Sequence, residues 1–225
     1  MLVSFDHVSK IYGRVYALDD VHFTIDKGDF VFLVGNSGAG KTTILKLLLR
    51  EVLPSSGNIL IDNLNLTKLK KTQIPHLRRN IGMIFQDFKI LFDRTVEENV
   101  AIALEITGRP RDEIYKKVHE VLHLVGLAEK INLFPVQLSQ GELQRTAIAR
   151  AIVAGPKLVL ADEPTGNLDP TNSWEILKIL KEINKLGTTI IMATHNVDVV
   201  NSMKKRVIAL EKGKIVKDQK QGNYK

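Results

Sequence analysis

Hydrophobic and polar positions follow two rhythms along this chain. Residues 2–5 alternate, and over 17–25 the apolar Leu18, Val21, Phe23 and Ile25 stand between polar neighbours. That period of two predicts short, half-buried strands within the first 34 residues, with a turn at Lys27-Gly28-Asp29. Three apolar runs lack alternation: Phe30–Val34, 158–161 and 188–194. Unbroken runs of this length suit strands covered on both faces. Further strands are expected over 58–62 and 81–85, the first after a turn at 54–57. A hairpin is expected where 206–210 and 214–216 flank Lys212-Gly213. Elsewhere the period is helical, over 43–49, 95–106, 111–125 and 173–185. Over 111–125, Ile114, Val118, Val121, Leu122 and Val125 share one face, and over 173–185 Ile176, Ile179, Leu180 and Ile183 do. Gly126 and Gly187 end these two helices. The polar stretch 68–79 leads through a short helix to the next strand, and the polar tail 218–225 is expected to fray. Strands and helices in this order describe an α/β chain.

One junction in that pattern carries chemistry. Between the Phe30–Val34 strand and the helix at 43–49 lies Gly35-Asn36-Ser37-Gly38-Ala39-Gly40-Lys41-Thr42. Strand, glycine loop and helix in this order, with a GxxxxGKT pattern, form a phosphate-binding P-loop. Glycines let backbone N–H groups approach phosphate oxygens, and the following helix directs its positive end at the same charge. Lys41 reaches the β- and γ-phosphates, and the Thr42 hydroxyl ligates Mg²⁺. A chance glycine turn would lack both the strand and the Lys-Thr pair. ATP or GTP binding follows.

The remaining polar residues at strand ends take their meaning from that loop. The run 158–161 ends in Asp162-Glu163. Two carboxylates at the end of a buried strand are costly unless they work. Asp162 belongs on the Mg²⁺ shell, and Glu163 is placed to polarise a water for attack on the γ-phosphate, with a structural ion pair as the alternative. Gln86 follows one strand and His195 another, at the carboxyl ends where α/β folds hold ligands. His195 is either structural or a γ-phosphate contact. Tyr12 packs as a strand aromatic or stacks on a base. Leu138-Ser139-Gln140-Gly141-Glu142 opens a long helix through Ala154, with Ser139 and Glu142 spaced as a capping box. That start is a plain helix cap or a second anion site.

Composition narrows the classes. The chain has 225 residues, 44% apolar and 25% charged, enough for one domain with a sizeable core. It has no cysteine, so disulfides and thiolate metal sites are excluded. The first six residues lack a basic segment followed by an apolar core, so no signal peptide is expected, and no apolar run approaches a membrane span. The net charge of +7 is spread, with local clusters at 68–71, 78–79 and 204–206. Such clusters suit solvated surface or weak attraction to an anionic membrane, at about 1 kcal/mol per well-placed Lys or Arg. Aromatics do not interleave with them, so no specific nucleic-acid partner is expected.

Together these stretches resemble the ATP-binding cassette (ABC) ATPases, in the family's order, from Tyr12 to His195. The signature-like Leu138-Ser139-Gln140-Gly141-Glu142-Leu143-Gln144-Arg145 is the most specific match, though Gln140 stands where the family usually has glycine. The resemblance implies a P-loop NTPase fold: a RecA-like core with an antiparallel β layer (1–87 and 156–225) and a helical signature subdomain (about 88–155). It implies ATP hydrolysis with Mg²⁺. Tyr12 becomes the adenine-stacking residue, and Gly35, Asn36, Ser37, Gly38, Ala39, Gly40, Lys41, Thr42 and Thr43 the phosphate cradle. Ser139 and Gly141 become the signature contacts, and Asp169, in Gly166-Asn167-Leu168-Asp169, the D-loop aspartate. Glu163 is the implied base and His195 the switch, with Gln86 and Lys41 completing the catalytic set; Thr42, Gln86 and Asp162 are the implied metal group.

Within the family, the segments 85–91 and 93–100 most resemble the bacterial cell-division branch. That branch implies a homodimer formed on ATP binding, an FtsX-like integral membrane partner and, indirectly, a cell-wall hydrolase or its activator. It implies a peripheral location on the cytoplasmic face of the cell membrane. The alternatives are the ATPase of a lipoprotein-release or macrolide-type exporter and, less well matched, a soluble nucleic-acid-associated cassette, since no second cassette or coiled-coil insertion is present.

Overall fold

The computed structural model describes residues 1–222. Strands β1 (Val3–Tyr12), β2 (Val15–Ile25) and β3 (Phe30–Val34) come first, followed by helix α1 (Lys41–Leu48). Next are β4 (Ser56–Ile61), β5 (Leu64–Asn65), α2 (Ile74–Arg79) and β6 (Ile81–Ile84). Helices α3 (Val96–Glu105), α4 (Arg111–Leu124) and α5 (Gln140–Ile152) form the middle of the chain. The last third is β7 (Leu158–Asp162), α6 (Pro170–Lys185), β8 (Thr189–Thr194), α7 (Val197–Met203), β9 (Arg206–Glu211) and β10 (Lys214–Gln219).

Two sheets form. A six-stranded sheet has the order β10-β9-β3-β8-β7-β6, and its central strands run parallel. A four-stranded antiparallel sheet has the order β2-β1-β4-β5. The unbroken apolar runs have the predicted cause. In β3, Val31 and Leu33 face one core, and Phe30, Phe32 and Val34 face the other. In β7, Leu158 and Leu160 divide from Val159 and Ala161 in the same way.

The first core lies between the large sheet, α1 and the antiparallel sheet, where Phe5 and Phe23 stack with ring centroids 4.6 Å apart. The second packs α3, α4, α5 and α6 on the opposite face. Each fully buried aliphatic or aromatic side chain here contributes about 1.5–3 kcal/mol.

Several boundaries differ from the sequence pattern. Strand β1 is ten residues long, because irregular pairings with β2 and β4 let it continue past its alternating start. Helix α6 begins at Pro170 rather than residue 173, since the Asp169 side chain caps it and proline suits its first turn. Helix α5 stops at Ile152, and Gly155 adopts a left-handed backbone just beyond. Helix α7 escaped the pattern entirely. It has only seven residues, too few to display a period, and the Asn196 side chain caps it. Of the tail expected to fray, Asp218 and Gln219 belong to β10, and the Arg206 guanidinium donates to both carboxylate oxygens of Asp218 at 2.9 and 2.8 Å. Residues 223–225 lie outside the described residues.

Candidate nucleotide site

The parallel strands β3, β7 and β8 end side by side, and their carboxyl ends deliver the predicted groups to one cleft. After β3 the chain turns through the glycine loop. Gly35 and Gly40 have φ of 146° and 110°, a backbone that side chains rarely adopt. A Cβ on Gly35 would strike the Leu210 carbonyl oxygen, and one on Gly40 would lie 2.7 Å from the Ala17 carbonyl oxygen. The loop is thus sealed against β9 and β2, with its open side facing a cavity of about 560 Å³. Asn36 to Thr43, Gln86, Asp162, Glu163 and His195 line that cavity, together with Ala17.

Lys41 is buried, and its ammonium donates to the Gly35 carbonyl at 2.6 Å and to the Asn36 carbonyl at 3.2 Å. Its Nζ is 4.0 Å from Glu163 Oε1. The Thr42 hydroxyl donates to Asp162 Oδ1 at 3.5 Å. Burial pushes the Asp162 carboxyl above its ordinary range, opposed by the Thr42 hydrogen bond and by Lys41 and Lys46, while the Glu163 charge pushes the same way as burial. A carboxylate that ionises reluctantly beside a hydroxyl is completed by a cation. The pair therefore fits Mg²⁺, and Gln86 lines the same cavity.

Glu163 sits where β7 turns away from the sheet. Its φ is 46°, a left-handed value that costs on the order of 1–3 kcal/mol outside glycine. The Glu163 N–H donates to the Ala193 carbonyl at 2.9 Å, which holds this turn on β8. The side chain is only 19% exposed, and its Oε2 lies 2.8 Å from His195 Nδ1. The Asn167 amide nitrogen donates to the Gln86 carbonyl at 3.2 Å, tying the loop after β7 to the end of β6.

Not every predicted residue lies at this cleft. Tyr12 is 45% exposed at the end of β1, with Lys10 Nζ 4.8 Å from its ring centroid, outside the cavity lining. Ser139 and Gly141 also lie outside that lining, at the start of α5, where Ser139 and Glu142 make the expected capping box. Asp169 lies outside it too and caps α6. Ala17 was missed, because an alanine in a strand gives no signal; only the packing of β2 over the glycine loop reveals it.

The ABC transporter family matches residues 18–166, and with it the P-loop and the Asp162-Glu163 pair. The chain belongs to the ABC transporter family. It is an ATPase of the ABC type. Within the family this cassette is 53% identical over 224 residues to the cell division ATP-binding protein FtsE of Bacillus subtilis, covering 99% of this chain and 98% of that one. It is 47% identical over 213 residues to FtsE of Escherichia coli, covering 94% and 96%. Among solved structures it resembles a dimeric ATP-binding cassette in a post-hydrolysis state bound to ADP and Pi, with a TM-score of 0.89 and 33% identity over 99% of this chain and 100% of that one. It also resembles a Clostridium perfringens subunit that is part of the ABC transporter complex cbiONQ, with a TM-score of 0.91 and 32% identity over 98% and 88%. With an antiparallel sheet, a largely parallel sheet and helices, the chain has the mixed α/β fold of these neighbours.

Proposed function

We propose that this cassette is the ATP-hydrolysing subunit of an FtsE-FtsX-like complex, which dimerises on ATP and drives a conformational change in a membrane partner. One observation carries the shared-site part of the reading. Lys41, Thr42, Asp162, Glu163 and His195 converge on one cavity, while Ser139 and Gly141 lie outside its lining. A second chain bringing its α5 start to the cavity completes the site, with Ser139 and Gly141 at the exposed side of the nucleotide. The dimeric relative bound to ADP and Pi supports this arrangement.

ATP is the substrate. In this reading its phosphates lie on the backbone N–H groups of the glycine loop and on the N-terminus of α1. Lys41 exchanges its two carbonyl acceptors for phosphate oxygens. Mg²⁺, held by Thr42 and Asp162 with Gln86, supplies positive charge to those oxygens when bound. Glu163 accepts the proton of the attacking water, and His195 holds the Glu163 carboxylate in place. Tyr12 offers its exposed ring to the base. Asp169 serves the facing chain from the D-loop. Residues 88–155 move as a helical lobe relative to the rest, and Gln86 at its root senses the γ-phosphate.

The cell-division role rests on the FtsE relatives, matched over nearly their whole length. Among the described residues no helix is long and apolar enough to cross a membrane, which is consistent with a separate integral partner of the FtsX kind. The cassette then sits at the cytoplasmic face of the cell membrane, and its cycle regulates a cell-wall hydrolase, or that enzyme's activator, across it. The test is co-purification from detergent extracts of cells expressing the tagged cassette. An FtsX-like membrane protein, with nucleotide-dependent turnover in the complex, is the expected result. A transporter permease in its place, or no membrane protein at all, overturns the cell-division assignment.

A further inference from the structure

The geometry points to a transition-metal site, distinct from the nucleotide cleft, on the outer face of the β1–β2 ribbon. Its ligands are Asp6, His7 and His22, with a zinc-type divalent cation as the ligand class.

The site is built by an irregularity in strand pairing. Phe5 pairs with Phe23 and Val8 with Val21, so two residues of β1 face one residue of β2 between these pairs. The two are Asp6 and His7, and the one is His22. In a regular strand, neighbours point to opposite faces. A bulge breaks that alternation and re-aims a side chain, and bulges recur beside functional sites. Here Phe5 and Val8 are buried while both Asp6 and His7 are exposed, so the extra residue brings a carboxylate and an imidazole to the same face. His22 comes from the facing strand between buried Val21 and Phe23.

The three groups offer ligand atoms that all lie within 4.8 Å of one another. Metal ligands in a tetrahedral shell with bonds of ~2.1 Å stand roughly 3.4 Å apart. The His22 Nδ1 and Asp6 Oδ1 atoms are already 3.7 Å apart. The two imidazole rings stack with centroids 5.3 Å apart. Exposed side chains need only small rotamer changes to close the remaining distance. Two imidazoles and one carboxylate, with water in the fourth position, form a set suited to Zn²⁺, Ni²⁺ or Cu²⁺ rather than Mg²⁺ or Ca²⁺.

A fourth residue supplies the support that metal-bound histidines require. His7 Nδ1 is 2.8 Å from Asp20 Oδ1. A carboxylate on one imidazole nitrogen fixes the ring and leaves the other nitrogen free to ligate. Asp20 is itself placed by a second irregularity, between the Val8–Val21 and Lys10–Leu18 pairs, and its N–H donates to Ser9 Oγ at 3.0 Å. Its backbone is left-handed, with φ of 52°. Two successive departures from regular pairing thus serve one cluster. Surface ion pairs alone contribute about 0–1 kcal/mol and do not call for such a construction. A bound ion would link β1 to β2 covalently in effect, on the ribbon whose Ala17 lines the nucleotide cavity.

The experiment titrates Zn²⁺ into nucleotide-free, Mg²⁺-free full-length protein by calorimetry, and records Cu²⁺ EPR on the same preparation. The expected result is one ion per chain, with nitrogen hyperfine structure in the EPR spectrum. His22→Ala and His7→Ala are each expected to weaken Zn²⁺ binding at least tenfold, and Asp20→Asn by a smaller factor. Zn²⁺ should raise the thermal midpoint of the wild-type chain and not that of the His7→Ala/His22→Ala double variant. These positions are exposed, so the metal-free midpoints should agree, and that agreement shows that the variants fold. The proposal is overturned if wild type binds Zn²⁺ no more tightly than the double variant. It is equally overturned if His195→Ala abolishes binding while the double variant retains it, because the ion would then occupy the nucleotide cleft.

Discussion

His195 Nδ1 lies 2.8 Å from Glu163 Oε2, across the ends of two neighbouring parallel strands. The contact joins the residue after β8 to the residue after β7. It fixes a carboxylate whose backbone is already held in a left-handed turn. Glu163→Gln keeps the side chain's shape and removes its basicity. We expect ATP binding to persist and turnover to fall by about 10²–10⁴, the usual contribution of a general base. The same variant should accumulate as an ATP-dependent dimer, seen by size-exclusion chromatography with and without Mg-ATP. A protein that stays monomeric with ATP bound would count against closure on nucleotide.

Lys41→Ala removes the buried ammonium at the head of α1. Hydrolysis should be abolished and ATP binding greatly weakened, because among the described residues no other lysine or arginine lines the cavity. Phosphate release and nucleotide-binding assays check both effects. Normal turnover would mean that the chemistry lies elsewhere.

The separation of Ser139 from the P-loop cavity allows a complementation test. Ser139→Arg should abolish turnover while a single chain still binds ATP. Mixed with Lys41→Ala, it forms heterodimers with one doubly broken site and one site whose P-loop and signature are both wild type. Partial recovery of activity is expected on mixing. Proven heterodimers with no recovered activity at any ratio would refute the shared site.

Gly141 faces Asn172 so closely that an added Cβ would strike the amide oxygen. Asn172 is not free to swing away, since its backbone and side-chain N–H groups both donate to the Asp169 carboxylate. Gly141→Ala gains up to ~1 kcal/mol of helix propensity and loses ~1–3 kcal/mol to overpacking. A net loss of about 1 kcal/mol is expected in denaturant unfolding. Adding Asn172→Ala should relieve most of the overpacking, and a double variant no more stable than Gly141→Ala would remove this explanation.

The sequence revealed what is local and concealed what is made by packing. The P-loop, the Asp162-Glu163 pair and His195 were legible because each follows an apolar strand, and a strand end positions one residue without help from distant chain. The capping box of Ser139 and Glu142 was legible for the same reason. The Gly141–Asn172 contact was not, because it joins two helices separated by a strand. Nor was the cluster at Asp6, His7 and His22, which exists only in the register between β1 and β2. Gln140, where the family prefers glycine, starts α5 without disturbing the cap. The first turn of a helix needs no left-handed residue there.

The capping box has a pH signature. Desolvation resists ionisation of Glu142, but hydrogen bonds from Lys130 and from the Ser139 N–H and hydroxyl outweigh it and hold the carboxyl at about 2. A folded pKa below the ordinary glutamate value of 4.5 means that the ionised cap stabilises the folded chain above that value. This stabilisation should disappear as pH falls through 4.5 towards about 2. The protection factors of amides in the first turn of α5, with the intrinsic pH dependence of exchange divided out, should fall as pH is lowered across that window. Glu142→Gln should show lower protection at neutral pH and no such fall. An identical profile for both proteins would show that the cap does not depend on the charge.

The segment after Gln86 separates two roles that its phenylalanines could play. Phe88 is half-buried, its φ is 58°, and its carbonyl accepts from the Arg150 guanidinium at 3.0 Å. Burial pushes that guanidinium's pKa down, and the Phe88 carbonyl gives the buried group a hydrogen-bond acceptor. Phe88 therefore belongs to the frame that holds the segment after β6 to α5. Phe92 is 61% exposed and has no comparable anchorage in the core. A partner helix docking beside this segment would meet Phe92 first, and exposed aromatics often carry much of an interface's energy. Phe92→Ala should weaken co-purification of the membrane partner and leave basal turnover and thermal stability close to wild type. Phe88→Ala should instead lower stability by about 1 kcal/mol, a fraction of the value for a fully buried ring. Both variants should be measured for partner binding, turnover and unfolding on the same preparations. A Phe92→Ala protein that binds the partner with unchanged affinity would remove the anchor from this position, whatever Phe88→Ala does.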